Sequence, residues 1–208
     1  MTDHELLEAW RTGDKRAGGE LIDRKHAFVV RFFRNKVAVI SDEKDLVQRT
    51  FASLVESVDR LDDPARFDGF LFGIARNVLL DYVRRRSRRA PNVSLDELCI
   101  AELDNTSLTS LTGLRQELRL LAQALRRVSI AEQSLLELRF FEGATAARIS
   151  ELTGLPRGSI DGRLRRALRR LRAEIESCRL EEGWSGPALE AEDFSGWAEE
   201  IRRHLPSE

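Results

Sequence analysis

The chain is poor in the residues that usually carry bound chemistry. It has two cysteines, Cys99 and Cys178, far apart and outside any CxxC pair, and three scattered histidines, His4, His26 and His204. Zinc needs several such ligands at short, fixed spacings, so a metal centre is excluded as an expectation, and reduced thiols suggest a cytoplasmic protein. No glycine-rich phosphate loop and no nucleophile paired with a base is recognisable; the GLPRG segment at 154–158 fits neither. We therefore expect no enzyme active site and no cofactor. The opening MTDHELLEAW carries acids where a secretory signal would carry cations and an apolar core. No apolar run approaches the length needed to span a bilayer, so no membrane association is expected. The net charge of −1 is small although a third of the residues are charged, because acidic and basic blocks lie in different places.

The most informative block is Thr145–Arg172, TAARISELTGLPRGSIDGRLRRALRRLR. Thr145 can cap a short helix bearing Ile149 and Leu152, and Gly154-Leu155-Pro156 ends it. A second helix follows, with Ile160, Leu164, Ala167, Leu168 and Leu171 at helical spacing and Pro156 suited to its first turn. Against the single acid Asp161 that helix carries seven arginines, Arg157, Arg163, Arg165, Arg166, Arg169, Arg170 and Arg172. Two short helices joined by a glycine-containing turn let the second protrude, and a cationic protruding helix suits a DNA major groove. A solvated amphipathic helix in a bundle is the plain alternative. The pattern by itself indicates DNA binding and leaves open what is done there.

Upstream, Glu5–Val39 reads as two core-building helices separated by Thr12-Gly13-Asp14. A third helix follows, capped by Ser41 or Asp42. Leu46, Val47, Phe51, Leu54, Val55 and Val58 form its apolar stripe, with Asp45, Gln48, Arg49, Ser53 and Glu56 outside it. Asp59–Phe67, DRLDDPARF, breaks the periodicity and reads as a functional loop. The next helix, FLFGIARNVLLDYVRRRSRR, with Phe67 just before it, brings Phe67, Phe70, Phe72 and Tyr82 beside Arg76, Arg84, Arg85, Arg86, Arg88 and Arg89. Aromatic faces beside cations suit unstacked bases and phosphates, although at least two of these aromatics are expected in the core. Residues 90–112, with Pro91 and the acids Asp96, Glu97, Glu102 and Asp104, read as a linker. Leu114–Val128 and Ala131–Phe141 read as two further helices, stopped by Gly143. The expected fold is all-α: an N-terminal domain over 1–89, the linker over 90–112, a C-terminal domain with the helix-turn-helix over 113–176, and an acidic extension over 177–208.

DLVQRTF, then FDGFLFGIARNVLLDYVRRR, then LRRVSIAEQSLLELRFFEG with ISELTGLPRGSIDGRLRRALRRLR, in that order and spacing, closely resembles the extracytoplasmic-function group of bacterial sigma factors. The resemblance spans Leu6 to about Glu176. It implies a protein that binds RNA polymerase core, at the clamp of the beta-prime subunit and the beta flap, and directs initiation at promoter DNA. It places polymerase contacts at Asp42, Asp45, Gln48 and Arg49. Minus-ten contacts would come from Arg60, Asp63, Arg66 and Phe70, with the loop receiving a flipped base, and from Arg76, Asn77 and Arg84 along the adjoining strands. The minus-thirty-five element would be read by Arg157, Ser159, Arg163 and Arg166. The linker acids would lie in the channels that RNA later occupies.

Three departures from the family pattern bear on control. The usual acidic cluster is interrupted by Lys44 and Arg49, which against a basic clamp would replace attraction by repulsion. A subgroup of the family that lacks these acids is switched by a threonine kinase, so Thr50 is a candidate phosphorylation site, the phosphate restoring negative charge. Asp161 stands where a lysine is frequent, with Gly162 beside it in mid-helix, which leaves the promoter sequence open. Beyond Glu176 the chain adds eight carboxylates and three arginines with Trp184, Leu189, Phe194, Trp197 and Ile201 among them. This extension can fold back on an arginine surface and hold the protein closed, in place of a separate anti-sigma protein, or dock a regulator. A stand-alone helix-turn-helix operator binder is the competing function, and it has no need of the first module.

Overall fold

The computed structural model describes residues 1–34, 36–37, 40–86 and 116–183; the expected linker, Arg88, Arg89, Cys99 and the extension from Trp184 onward lie outside the described residues. Every extended element described is helical. The chain divides into two compact units, Met1–Tyr82 with Glu151–Gly154, and the remainder.

In the first unit, α1 (Asp3–Arg11) begins in a reciprocal cap: the Thr2 hydroxyl accepts from the Glu5 amide at 3.2 Å, and the Thr2 amide donates to the Glu5 carboxylate at 2.7 Å. Asp14 caps α2 (Lys15–Arg34), accepting from the amides of Arg16 and Ala17. At the far end of α2 the Lys36 ammonium donates to the Phe32 carbonyl at 2.9 Å and lies over the Phe32 ring, a cation placed where the helix dipole favours one. Helix α3 (Ile40–Ser57) starts two or three residues earlier than expected, so Asp42 lies in its first turn and is not its cap. Two short 3-10 turns, Val58–Arg60 and Pro64–Arg66, replace the irregular loop, and α4 (Phe67–Arg86) follows directly. The core gathers Leu6, Leu7, Leu21, Val29, Phe33, Leu46, Leu54, Leu71 and Leu79. Phe32 and Phe72 meet edge to face at 5.3 Å and Phe28 leans on Phe72, so the aromatics of α2 and α4 pack mainly on one another.

The second unit contains α5 (Gln116–Arg127), α6 (Ile130–Leu136) with a widened turn over Glu137–Phe141, most of α7 (Ala146–Thr153), and α8 (Arg157–Glu181). Ser129 and Glu132 form a second reciprocal cap, at α6. The core joins Leu120, Leu121, Ala124, Leu125 and Val128 of α5 to Ala167, Leu171, Ile175 and Cys178 of α8. The expected boundary after Glu176 therefore falls inside a helix. Cys178 is buried, Arg127 makes a two-pronged ion pair with Glu181 at 2.6 and 2.7 Å, and Gln123 donates to Glu182 at 2.7 Å. The first turn and a half of the extension belongs to the domain.

Candidate nucleic-acid and polymerase interfaces

The stretch between α3 and α4 is an arch pinned at both ends. Leu61 and Phe67 are buried, and between them the Asp63 carboxylate accepts from the Ala65 amide at 3.0 Å, with Pro64 opening the turn where a missing N–H costs nothing. This leaves Asp59, Arg60, Asp62, Asp63, Ala65 and Arg66 exposed or partly so. Arg66, Phe70, Asn77 and Arg84 recur at about one- or two-turn spacing from the arch along α4; Asn77 and Arg84 are exposed, and Phe70 and Arg76 half-buried. Of the four aromatics expected to offer faces to bases, Phe67 and Phe72 are core and the Tyr82 hydroxyl donates to Asp42 at 2.8 Å, so Phe70 alone keeps a partly open ring without such a tie.

That Tyr82 bond also changes the reading of the first turn of α3. Asp42 is half-buried and tied to α4, while Glu43 sits 3.8 Å from the Arg34 guanidinium. Burial holds the Glu43 carboxyl above its ordinary range, against the pull of Arg34 and Lys44. The face of α3 that stays open runs through Lys44, Asp45, Ala52, Val55 and Glu56. Gln48 is exposed within it, between Asp45 and Ala52, and Arg49 lies half-buried at its edge. Val55, expected in the apolar stripe, is 52 % exposed. Thr50 needs the opposite correction. Expected at the surface beside Arg49, it is 0 % exposed and its hydroxyl donates to the Leu46 carbonyl one turn back at 2.8 Å. The folded helix does not present that hydroxyl to a kinase.

In the helix-turn-helix, Thr145 caps α7 through the Arg148 amide, Ser150 reaches across the turn to the Leu155 carbonyl at 2.6 Å, and Gly154 takes φ +72°. A left-handed residue is strained for any side chain with a Cβ, so glycine is required there. The Pro156 carbonyl accepts from both the amide and the hydroxyl of Ser159, closing the first turn of α8. Ile160, Leu164, Ala167 and Leu171 are buried on one side of α8. Projected at helical spacing, Gly158 and Arg169 lie opposite them, with Arg165 and Arg166 to either side and Asp161 and Arg172 farther round; all are exposed, as is Arg157, which projects on the side of Leu164 in the first turn. Ser159 and Arg163 are half-buried on the flank. Arg165 and Arg169, which were not among the residues expected to read the minus-thirty-five element, are thus on the exposed side of α8, as their offset from Ile160 and Leu164 indicates.

Among the described residues the protein is all-helical, and its second module carries a helix-turn-helix whose second helix turns arginines outward, an arrangement suited to a DNA major groove. The sequence profile of sigma-70 region 2 matches residues 21–89, and that of sigma-70 region 4 matches residues 124–173. The RNA polymerase sigma factor NccH of Alcaligenes xylosoxydans xylosoxydans is 27% identical over 186 residues, covering 86% of this chain and 100% of that protein. The factor RpoE of Cereibacter sphaeroides, an extracytoplasmic-function RNA polymerase sigma factor, is 29% identical, covering 78% of this chain and 88% of its own length. The solved structure of CnrH in complex with the cytosolic domain of CnrY superposes with a TM-score of 0.59 at 24% identity, over 84% of this chain and 97% of that one, a likeness of fold. The chain belongs to the extracytoplasmic-function group of the sigma-70 family. It is an RNA polymerase sigma factor, a DNA-binding transcription protein of a family that is not an enzyme family. No described helix is long and apolar enough to cross a membrane.

Proposed function

We propose that this sigma factor reads two promoter elements through two separate faces. The arch over Asp59–Arg66, with Phe70 behind it, receives an extruded base of the minus-ten element, and Arg76, Asn77 and Arg84 follow the parting strands. Extruding a base costs a few kcal/mol of stacking and pairing, which interactions with its edge and face must return. A pinned arch with outward polar side chains and one half-open ring supplies both kinds of interaction, and this observation carries the reading. The minus-thirty-five element is taken by Arg157, Arg165, Arg166 and Arg169, with Ser159 and Arg163 at the rim. Core polymerase docks on the open face of α3, through Asp45, Gln48, Ala52 and Val55. Asp42, being held by Tyr82, shapes that face from behind. The two modules correspond to residues 1–89 and 113–183, the second longer than expected because α8 continues through Glu181.

Control is proposed to involve the acidic segment 184–208 or a protein partner of the kind that CnrH holds in CnrY. Run-off transcription with core polymerase tests the reading. The full chain is expected to start transcripts from selected promoters, and Phe70→Ala to lose opening of the minus-ten element. Arg165→Ala with Arg169→Ala should weaken duplex binding and flatten the slope of log affinity against log salt by about 0.9 for each phosphate that is no longer neutralised. Specific duplex binding without core binding or transcription would make the protein an operator binder.

A further inference from the structure

Helix α1 and the start of α2 precede the residues that match region 2. The ammonium of Lys25, on α2, is nevertheless shared between two carboxylates from opposite ends of the unit's sequence: Asp3 of α1 at 2.5 Å and Asp68 of α4 at 2.8 Å. Lys25 is largely covered, its side chain 16% exposed. Burial would lower its pKa, but the two carboxylates outweigh this and raise it, so the lysine stays charged. Asp3 is fixed in turn. It accepts from Arg24 at 3.0 Å, Arg24 also holds the Met1 carbonyl, and Leu6 and Leu7 are fully buried. Helix α1 packs on α2 and on the Pro64–Arg66 turn. Asp68 stands two residues beyond Arg66 and two before Phe70, between the arch and the ring behind it.

We propose that Lys25 is a positioning residue for minus-ten recognition: by clasping Asp3 and Asp68 it locks the Pro64–Arg66 turn and Phe70 into the base-accepting geometry. The proposal rests on the reading of that arch as the receiver of an extruded base. A recognition pocket loses selectivity when its side chains move by about half an ångström, so a clasp that fixes the arch acts on base discrimination before it acts on affinity for polymerase. Without the lysine two partly covered carboxylates would face each other, and the turn would be pushed from the helix that braces it.

The test uses the full chain bound to core polymerase and fork DNA carrying each of the four bases in turn at every minus-ten position. Lys25→Met is expected to reduce the preference for the best base at one position by about tenfold or more. Affinity for core should stay within about twofold, and minus-thirty-five discrimination should be unchanged. Lys25→Arg should retain the preference, and Asp68→Asn should reduce it at the same position. Equal loss at both promoter elements, or no loss in either Lys25→Met or Asp68→Asn, overturns the proposal; should Lys25→Met fail to fold, Asp68→Asn decides. Arg66→Ala and Asp63→Ala separate the two readings. If they leave all minus-ten preferences intact, the arch is not the receiver; if they alter a preference that Lys25→Met and Asp68→Asn leave alone, the arch stands and the clasp falls.

Discussion

Replacing Thr50 by glutamate, the usual imitation of phosphothreonine, should severely destabilise the first module. The side chain is fully buried on the stripe that carries Leu46, Val47 and Leu54, and its hydroxyl is satisfied within the helix at 2.8 Å. A carboxylate there loses water without gaining a partner, at an effective cost of several kcal/mol, and its longer chain overpacks a filled site by a further 1–3 kcal/mol or so. The sum, about 5 kcal/mol, is comparable with the whole stability of a small domain. Thr50→Val keeps the branched shape, and the change should stay within about 1 kcal/mol, because the carbonyl that loses the hydroxyl lies in a helix.

For a module of this size each kcal/mol moves the melting temperature by roughly 4–8 °C, so the glutamate variant should melt about 20 °C or more below the parent and the valine variant within about 8 °C of it. Circular dichroism melts of the two variants and the parent measure this. Any kinase acting on Thr50 must wait for α3 to open, so its rate on the folded chain should be lower than on a peptide covering residues 44–56 by the fraction of time α3 is open. A glutamate variant melting within a few degrees of the parent, or equal phosphorylation of chain and peptide with the helix intact, would refute the reasoning.

Gly18→Ala should destabilise the protein although alanine favours helices, because a Cβ at that position would lie 2.8 Å from three atoms of the Trp10 ring; the steric cost of about 1–3 kcal/mol exceeds a propensity gain of up to about 1 kcal/mol, and a lowered melting temperature with shifted indole emission would show it. Asp3 has its pKa lowered, first by the hydrogen bond from Lys25, so its contribution is complete above the unfolded value near 3.8 and disappears as pH falls through the lower folded value. Urea unfolding should accordingly show Asp3→Asn less stable than the parent at neutral pH, with the difference closing as the pH falls below the unfolded value near 3.8. Cys178 is pushed up to about 11, chiefly by burial, so in the folded protein at pH 8 it should react with thiol reagents far more slowly than after unfolding.

What the sequence disclosed depended on whether a residue's surroundings were local. The helix-turn-helix could be read because its signals are local: a capping threonine, a glycine at the turn and an apolar repeat at helical spacing. The same repeat points Arg165 and Arg169 away from the core and leaves Arg163 on the flank, whereas the mapping by family position that selected Arg163 carries no rotational information. Thr50 was singled out from the missing acids beside it and from the kinase-switched subgroup, and neither says which way its side chain faces. Leu46, Thr50 and Leu54 lie one turn apart on the same stripe, and a threonine can enter such a stripe because its hydroxyl finds a carbonyl one turn back. The Asp42–Tyr82 bond joins residues 40 apart and has no local signature, and neither has the convergence of Asp3 and Asp68 on Lys25.

The acidic composition after Glu176 suggested a domain boundary there, but the spacing of Leu171, Ile175 and Cys178 continues the buried stripe of α8 past it. This decides how control by the extension must be tested. A chain shortened after Glu176 removes Cys178 from the core, at a cost of about 1–2 kcal/mol, and deletes the Glu181 and Glu182 partners of Arg127 and Gln123 on α5. Its second module should therefore melt several degrees lower, and any change in transcription would mix released inhibition with a loosened reading helix. A chain ending at Gly183, where α8 has stopped and the backbone turns through φ +63°, removes the acidic segment and leaves the domain whole. If the segment inhibits, the chain ending at Gly183 should bind minus-thirty-five duplex more tightly than the full chain at equal thermal stability, and more tightly than the one ending at Glu176. Equal affinity of the Gly183 chain and the full chain across a range of salt would remove the segment from the control of this surface.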